Sequence, residues 1–307
     1  MKTFRLLIAG ITVLLLMTGF TWKGRTTVSN IRKAAPPFIY NDRQTLTVVS
    51  FNIRVGYGTE DRGVDPYTLR GRKKKLGPVV EAIQSCGADI VGLQEVLGRG
   101  QALEVARRLN MNAAYTDHPT VSPSGPWWGV AVLSKYPIAM AEGFQISSGA
   151  GNSKTALLCI VDVRGRKHYF VSIHKDKDLK DGESFKTIMR KIASVKAPVI
   201  LIGDFNMSPF DPRLNLLKPR FADSAEMIDT FTTREARRIG TFYGIGRIDY
   251  IWVDPKYYRV IDGGLAQRQY RDASDHLAYW TKVVPKRERT VSVEKRRERW
   301  LYSLVGK

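Results

Sequence analysis

The stretch VILIGDFN, residues 199–206, runs four apolar residues and a glycine directly into Asp204, Phe205 and Asn206. A continuous apolar run of this length predicts a strand that is buried on both faces. Asp204 and Asn206 are two residues apart, so in extended backbone their side chains lie on the same side. Because α/β proteins bind ligands beyond the ends of their strands, the stretch predicts a sheet and a site at its edge.

Polar residues occupy the same kind of position at four other apolar runs. Asn52 follows TVVSF, Glu95 follows IVGLQ, Asp249 interrupts RIDYIW, and Asp275 and His276 precede LAY. Taken singly, each of these residues is typical of a turn or a helix cap. Together with Asp204 and Asn206, these residues offer one imidazole and the carboxylate and amide oxygens that Mg²⁺ prefers. The set therefore predicts a metal-dependent site.

The remaining pattern predicts an α/β protein in which strands outnumber helices. Strands are predicted at residues 45–51, 89–93, 129–133, 157–163, 169–173, 199–202, 248–253 and 277–284, and helices at 69–84, 101–109 and 184–195. Several strands are consecutive, which favours a mixed-sheet, two-sheet sandwich flanked by helices. Composition does not change between residues 46 and 283, so we expect one domain there.

Six motifs in this domain resemble the endonuclease/exonuclease/phosphatase superfamily, which includes deoxyribonuclease I, exonuclease III and the neutral sphingomyelinases. They are SFNIR (50–54), DIVGLQEV (89–96), GVAVLSKYPI (129–138), VILIGDFN (199–206), RIDYIW (247–252) and SDH (274–276), and they occur in the family order. The resemblance implies a deoxyribonuclease I-like four-layer α/β/β/α sandwich. It also implies hydrolysis of phosphate esters with Mg²⁺, for which Mn²⁺ is the alternative ion.

The resemblance implies roles for eight residues. Glu95, Asn52 and Asp275 would belong to the metal site, and Asp204 and Asn206 would orient the attacking water and hold the phosphate. His276 would be the catalytic histidine, paired with Asp249. His174 corresponds to a second histidine that many members carry. The choice of general base between Asp204 and His276 stays open. So do the contacts near His174, because this chain has Ile-His-Lys where many members have Thr-His-Leu.

The composition excludes several classes of protein and indicates the charge of the binding partners. The chain has 307 residues, is 43% hydrophobic and carries a formal net charge of +20. These values exclude a disordered chain, a collagen-like chain and a multi-span membrane protein. A basic balance favours anionic partners such as nucleic acid, anionic lipid or phosphorylated substrates. The two cysteines lie far apart and form no CxxC motif, so we expect free thiols rather than a disulfide framework.

Much of the positive charge lies in the flanking segments. Lys2 and Arg5 precede the apolar run at residues 6–22, a layout typical of a signal peptide or an N-terminal membrane anchor. We therefore assign residues 1–22 to that segment, with cleavage left open, and residues 23–45 to a linker. Residues 284–307 are predicted to form a basic amphipathic tail. Together the flanks predict an exported or membrane-anchored protein that works at a membrane surface.

The substrate is expected to be a phosphodiester, either a phospholipid or sphingolipid headgroup or a nucleic acid. The flanks favour the lipid, whereas Arg54 points weakly to an exported nuclease. The Trp127-Trp128 pair fits either base stacking or insertion into a lipid interface. A catalytically inactive binding protein on the same fold is the remaining alternative, and the completeness of the motif set argues against it. The sequence does not indicate an oligomeric state.

Overall fold

The computed structural model describes residues 26–31, 45–59, 74–118, 128–147, 154–175, 182–228, 240–242 and 246–286. The predicted signal or anchor segment, the tail beyond residue 286 and Trp127 lie outside these residues. Within the described part, no helix is both long and apolar enough to cross a membrane. Both cysteines are free, with Cys159 buried and Cys86 partly buried.

A seven-stranded sheet forms one half of the fold. In spatial order it contains β1 (Thr26–Ser29), β4 (Asn112–Asp117), β5 (Trp128–Ser134), β3 (Ile90–Leu97), β2 (Leu46–Asn52), β13 (Tyr279–Pro285) and β12 (Tyr258–Leu265). Strands β2 and β3 are parallel, and every other neighbouring pair in this sheet is antiparallel. The parallel pair lies near the middle of the sheet, where both faces are covered.

A six-stranded sheet forms the other half. In spatial order it contains β10 (Ala222–Asp223), β11 (Asp249–Val253), β9 (Val199–Asp204), β8 (Arg166–His174), β7 (Thr155–Val163) and β6 (Ile138–Gln145). Its parallel pair is β8 with β9. A side-chain carbon on Gly203 would collide with the carbonyl oxygen of Ile173 on β8, so the close approach of these two strands requires glycine before Asp204.

The two sheets stack face to face, with helices on both outer faces. Helices α1 (Leu76–Ser85) and α2 (Gly98–Leu109) pack on the seven-stranded sheet, and α3 (Glu183–Lys191) packs on the six-stranded sheet. The alternation of strand side chains divides the core: Val48 of β2 and Ile202 of β9 meet between the sheets, whereas Val49 and Leu201 face the helices. The predicted four-layer α/β/β/α sandwich is therefore confirmed.

Each of the eight predicted strands overlaps an observed one, but the predicted boundaries need correction. Residues 26–29, assigned to a linker, form β1 at the edge of the seven-stranded sheet. Side-chain hydrogen bonds hold this segment in place: Asn30 both donates to and accepts from the backbone of Ile138 at 3.1 Å. Strand β13 continues to Pro285, two residues into the predicted tail. The fold therefore extends beyond residues 46–283 at both ends.

Candidate active site

The two parallel strand pairs bring polar residues to one end of the sandwich. Asn52 ends β2 and lies beside Gln94 of β3, so Glu95 follows at the same edge. His174 and Asp204 are register partners at the ends of β8 and β9. Asp249 pairs with Asp204 from the antiparallel strand β11. The strand register therefore gathers residues that are far apart in the sequence, as the sequence analysis predicted.

Several residues at this end have left-handed backbone. Glu95 has a φ of 51° and lies where the register of β3 with β5 is interrupted between Leu93 and Val96. Asn206 has a φ of 50°, a conformation that asparagine tolerates well. Arg54 and Val55 have φ values of 44° and 57°. Conformations of this kind cost free energy and persist where the surrounding structure imposes them, often at functional sites.

The Asn52 side chain spans two carboxylates. Its Nδ2 donates to Glu95 Oε1 at 3.1 Å and to Asp204 Oδ2 at 3.1 Å. Its Oδ1 accepts the backbone N–H of Arg54 at 3.0 Å. Because a backbone N–H only donates, this bond sets which end of the amide faces the carboxylates. Asn52, which we assigned to the metal site, therefore orients the two acids and turns its own oxygen away from them.

His276 and Asp249 form a buried pair. His276 Nδ1 lies 2.8 Å from Asp249 Oδ2, and its Nε2 points toward Asp204 Oδ2 at 3.8 Å. Burial alone would lower the pKa of His276, but the adjacent Asp249 carboxylate raises this pKa to about 10. Thr241 holds the start of β11 by accepting the Asp249 backbone N–H at 3.1 Å. The imidazole is therefore cationic at neutral pH and fixed in orientation.

Asp204 and Asn206 are linked locally. Asp204 Oδ1 accepts the backbone N–H of Asn206 at 2.8 Å, and the Asn206 side chain donates to the Lys175 carbonyl at 2.8 Å. Burial and the neighbouring Asp249 carboxylate raise the pKa of Asp204 above its usual range. Asp204 thus presents one oxygen to Asn52 and the two histidines while the other is held by backbone.

His174 faces two carboxylates across a gap. Its Nε2 lies 3.9 Å from Glu95 Oε1 and 3.7 Å from Asp204 Oδ2. Burial and the nearby Lys154 ammonium hold the pKa of His174 well below its usual range. His174 is therefore neutral, in contrast to His276, so the site contains one neutral and one cationic imidazole.

Arg54 belongs to the framework of the site. The guanidinium is buried, with Nε 3.2 Å from Asp275 Oδ2 and Nη1 donating to the Gly58 carbonyl at 3.0 Å. Ser274 Oγ ties this segment to β2 by donating to the Asn52 carbonyl at 2.7 Å. The Arg54 side chain therefore lies inside the protein and positions Asp275.

Two groups of side chains at this end are candidates for a metal site. Ligand atoms of Asp204, Asp249 and His276 lie within 4.8 Å of one another. His276 Nδ1 is hydrogen-bonded to Asp249, so within this group Nε2 is the ring nitrogen left to face an ion. The second group is centred on Glu95, whose side chain remains partly exposed.

The charge balance at Glu95 fits a divalent cation. Of the four acids at this end, Asp275 is paired with Arg54 and Asp249 with His276. Glu95 accepts a hydrogen bond from the Asn52 amide but faces no paired cation among the described side chains, and burial together with the Asp275 carboxylate raises its pKa. A cation held by Glu95 with an oxygen of Asp204 would offset this excess negative charge. Oxygen ligands of this kind suit Mg²⁺ or Mn²⁺.

His118 also lies beside the site, although its sequence context gave no indication of this. It follows β4 and its ring centroid lies 5.9 Å from that of His174. A single histidine after a short strand carries no motif, and the pairing of β4 was itself not predicted. Only the packing of the two sheets places His118 beside the site.

A family model described as the Endonuclease/Exonuclease/phosphatase family matches residues 49–276. No curated protein matches this chain. An endonuclease/exonuclease/phosphatase structure from Bacteroides vulgatus shares 18% identity and a TM-score of 0.62, covering 80% of this chain and 100% of its own. The mannosyl-6-phosphatase structure from Bacteroides thetaiotaomicron shares 22% identity and a TM-score of 0.57, covering 79% and 100%.

A third solved structure, the human nocturnin catalytic domain with a bound sulfate anion, shares 16% identity and a TM-score of 0.59. It covers 86% of this chain and 98% of its own. All three identities are low, so these likenesses support the arrangement of strands and helices and leave the substrate open.

Proposed function

This chain belongs to the endonuclease/exonuclease/phosphatase family, whose members hydrolyse phosphoesters, and on that premise we propose that it is a divalent-metal-dependent phosphoester hydrolase. The observation that carries the proposal is the Asn52 amide lying between the carboxylates of Glu95 and Asp204, with the Asp249–His276 pair facing Asp204. This arrangement has the parts that phosphoester hydrolysis requires: a cation site, a group for the water and a cationic donor.

We assign the proton-handling roles from the electrostatics of the site. His276, kept cationic by Asp249, donates a hydrogen bond to a phosphoryl oxygen as negative charge develops there. Asp204, whose pKa is raised, accepts a proton from the attacking water. Asn206 donates its side-chain N–H to the Lys175 carbonyl, which supports the loop after β9 beside Asp204. A divalent cation at Glu95 would offset charge on the phosphoryl oxygens.

For the substrate we propose a phosphodiester, with a lipid headgroup and a nucleic acid as the two candidate sources. One neighbour with a similar fold is named a mannosyl-6-phosphatase, and a phosphatase of that name acts on a phosphomonoester. A phosphomonoester therefore belongs among the compounds tested. The basic flanks support an anionic partner of either phosphodiester class.

A panel of substrates with metal removal and return tests the proposal. We expect the full-length protein to hydrolyse at least one of plasmid DNA, RNA, sphingomyelin, phosphatidylinositol and bis(p-nitrophenyl) phosphate. EDTA should abolish the activity, and Mg²⁺ or Mn²⁺ should restore it, because the Glu95 site needs a cation to offset its charge. Hydrolysis that persists in EDTA would remove the metal from the proposal, and hydrolysis of p-nitrophenyl phosphate alone would replace the phosphodiester with a monoester.

We also propose, from the sequence of residues 6–22, that the protein is exported and either anchored or released by cleavage. Because β1 begins at Thr26, an uncleaved segment would join the fold after only three residues, Lys23, Gly24 and Arg25. A chain of that length spans about 10 Å at most. An anchored form would therefore hold the domain close to the membrane surface, where a lipid substrate is available.

Cell fractionation separates these cases. If the segment is retained, full-length protein should sediment with membranes and resist a high-salt wash, because apolar anchoring is not screened by salt. A fragment spanning residues 26–286, which keeps β1, should be soluble and should still hydrolyse a small phosphodiester. Soluble protein outside the cytoplasm with a new N-terminus near residue 23 would contradict anchoring, and soluble cytoplasmic protein would contradict export. Equal vesicle binding by fragment and full chain would contradict the role of the flanks.

A further inference from the structure

His118 lies at the same end of the sandwich as the candidate active site but belongs to the opposite sheet from His174. Its ring is tilted 52° from that of His174, and only 5% of the residue is exposed. The backbone N–H of Thr155, the first residue of β7, donates to His118 Nδ1 at 3.0 Å. Since Leu157 pairs with Ser172, Thr155 is level with His174 on the neighbouring strand. His118 is therefore anchored directly beside the site.

The bond from Thr155 determines which nitrogen of His118 carries the proton. Burial and the nearby Lys154 ammonium hold the pKa of His118 well below its usual range, so the imidazole is neutral. A neutral imidazole that accepts at Nδ1 has its hydrogen on Nε2. Among the described residues, none accepts a hydrogen bond from this buried Nε2–H. An unpaired buried donor is unfavourable, and native proteins rarely contain one without a purpose.

The same protonation excludes His118 as a metal ligand. One nitrogen uses its lone pair to accept from Thr155 and the other carries hydrogen, so neither has a lone pair for an ion. What Nε2–H requires is an oxygen acceptor. The Lys154 ammonium acts on the pKa of both His118 and His174, so one positive charge lies near this donor and can also attract an anionic acceptor.

We propose that His118 is a further substrate-contacting residue, whose Nε2–H donates a hydrogen bond to an anionic phosphoryl oxygen of the phosphoester bound beside His174. The inference rests on the proposed function, since it takes the substrate class from there. It assigns this donor a partner that none of the described residues provides. His118 makes no covalent bond and transfers no proton in this role, so its effect is on binding.

Two substitutions separate the two nitrogens of His118. In His118→Asn, the amide oxygen can still accept from Thr155, but the donor at the Nε2 position is lost. In His118→Gln, the amide N–H₂ can reach that position, but the acceptor for Thr155 is lost. We expect His118→Asn to raise KM about tenfold or more with a smaller effect on kcat, the loss expected for a hydrogen bond to a charged oxygen. His118→Gln should recover most of the affinity.

His168→Asn is the matched control, because His168 is also a buried histidine. It lies near the opposite end of β8, about 20 Å along the strand from His174, and its hydrogen-bond partner is Tyr258. The substitution should leave KM unchanged. Titration with inorganic phosphate in the presence of Mg²⁺ gives a readout independent of turnover: His118→Asn should weaken phosphate binding by the same factor as it raises KM. In wild-type protein with ¹⁵N-labelled histidine, phosphate should shift the His118 Nε2–H resonance.

The outcomes are distinct. Wild-type KM and phosphate affinity in His118→Asn, or a His118 resonance that phosphate leaves in place, would overturn the inference while the proposed function stands. If His118→Asn and His118→Gln raised KM equally, the donor role would be overturned, and His118 would act through the hydrogen bond that it accepts from Thr155. If the wild-type protein hydrolyses no phosphoester, the proposed function fails, and the phosphate titration and the resonance shift still decide whether His118 binds the anion.

Discussion

Replacing Glu95 with glutamine is expected to lower kcat/KM by about 10³-fold for every phosphoester the protein accepts, because removing a metal-based contribution of several kcal/mol has an effect of this size. Glutamine keeps the shape of the side chain and can still accept the hydrogen bond from Asn52. What it removes is the negative charge that, with Asp204, fits a divalent cation. Steady-state kinetics on the preferred substrate across a range of Mg²⁺ concentrations measures the loss.

The control for this change is Glu104→Gln, which removes a carboxylate from the surface of α2. Glu104 pairs with Arg107 and Arg108 on its own helix, and exposed pairs of this kind contribute little to stability. We expect Glu104→Gln to have wild-type kinetics. Calorimetric titration with Mn²⁺ should show binding to the wild type and to Glu104→Gln and a weaker or absent signal for Glu95→Gln. Undiminished Mn²⁺ binding by Glu95→Gln would place the metal elsewhere.

Central strands could be predicted from the sequence because they bury both faces. Strand β9 is a continuous apolar run and was located correctly, although its observed end includes Gly203 and Asp204. Edge strands could not be predicted in this way. Strand β6 has the sequence IAMAEGFQ and is exposed or half-buried after its first residue. Its apolar run stops after IAMA, and the strand shows no alternation of apolar and polar residues, so the pattern does not single it out. Strand β1 is four residues long and depends on its pairing with β4.

The candidate site shows the same division. Polar residues at the ends of buried strands could be identified, since the apolar run makes each of them conspicuous. The partner of each side chain could not, because it depends on how two sheets meet. The Asn52 amide is turned by a backbone N–H two residues away, and Arg54 is drawn inward by Asp275, more than two hundred residues later in the chain. His118 enters the site from β4, a strand that the pattern did not reveal.

The pair formed by Asp249 and His276 should behave as a unit. Asp249→Asn and His276→Gln are each expected to reduce kcat/KM by about 10²–10⁴-fold, the range for a positioned acid or base. The double variant should lose little more than the worse single variant, since either change removes the oriented cationic imidazole. Kinetics of the three variants on one substrate measure the coupling, and fully multiplicative losses would contradict the pairing.

The pH dependence of Asp249→Asn gives the pair a second signature. In the wild type the Asp249 carboxylate raises the pKa of His276 to about 10, so the imidazole stays protonated through the neutral range. Without that carboxylate, burial lowers the pKa of His276, and the imidazole becomes neutral at a lower pH. Activity that requires the cation should therefore begin to fall at a lower pH in Asp249→Asn, and acidification should recover part of the loss. A profile of kcat/KM between pH 5 and pH 10 tests the sign of this shift. If the fall of kcat/KM at alkaline pH were unchanged in Asp249→Asn, Asp249 would hold His276 in position without setting its charge. The positive charge that we assign to His276 would then have to be stabilised by other carboxylates.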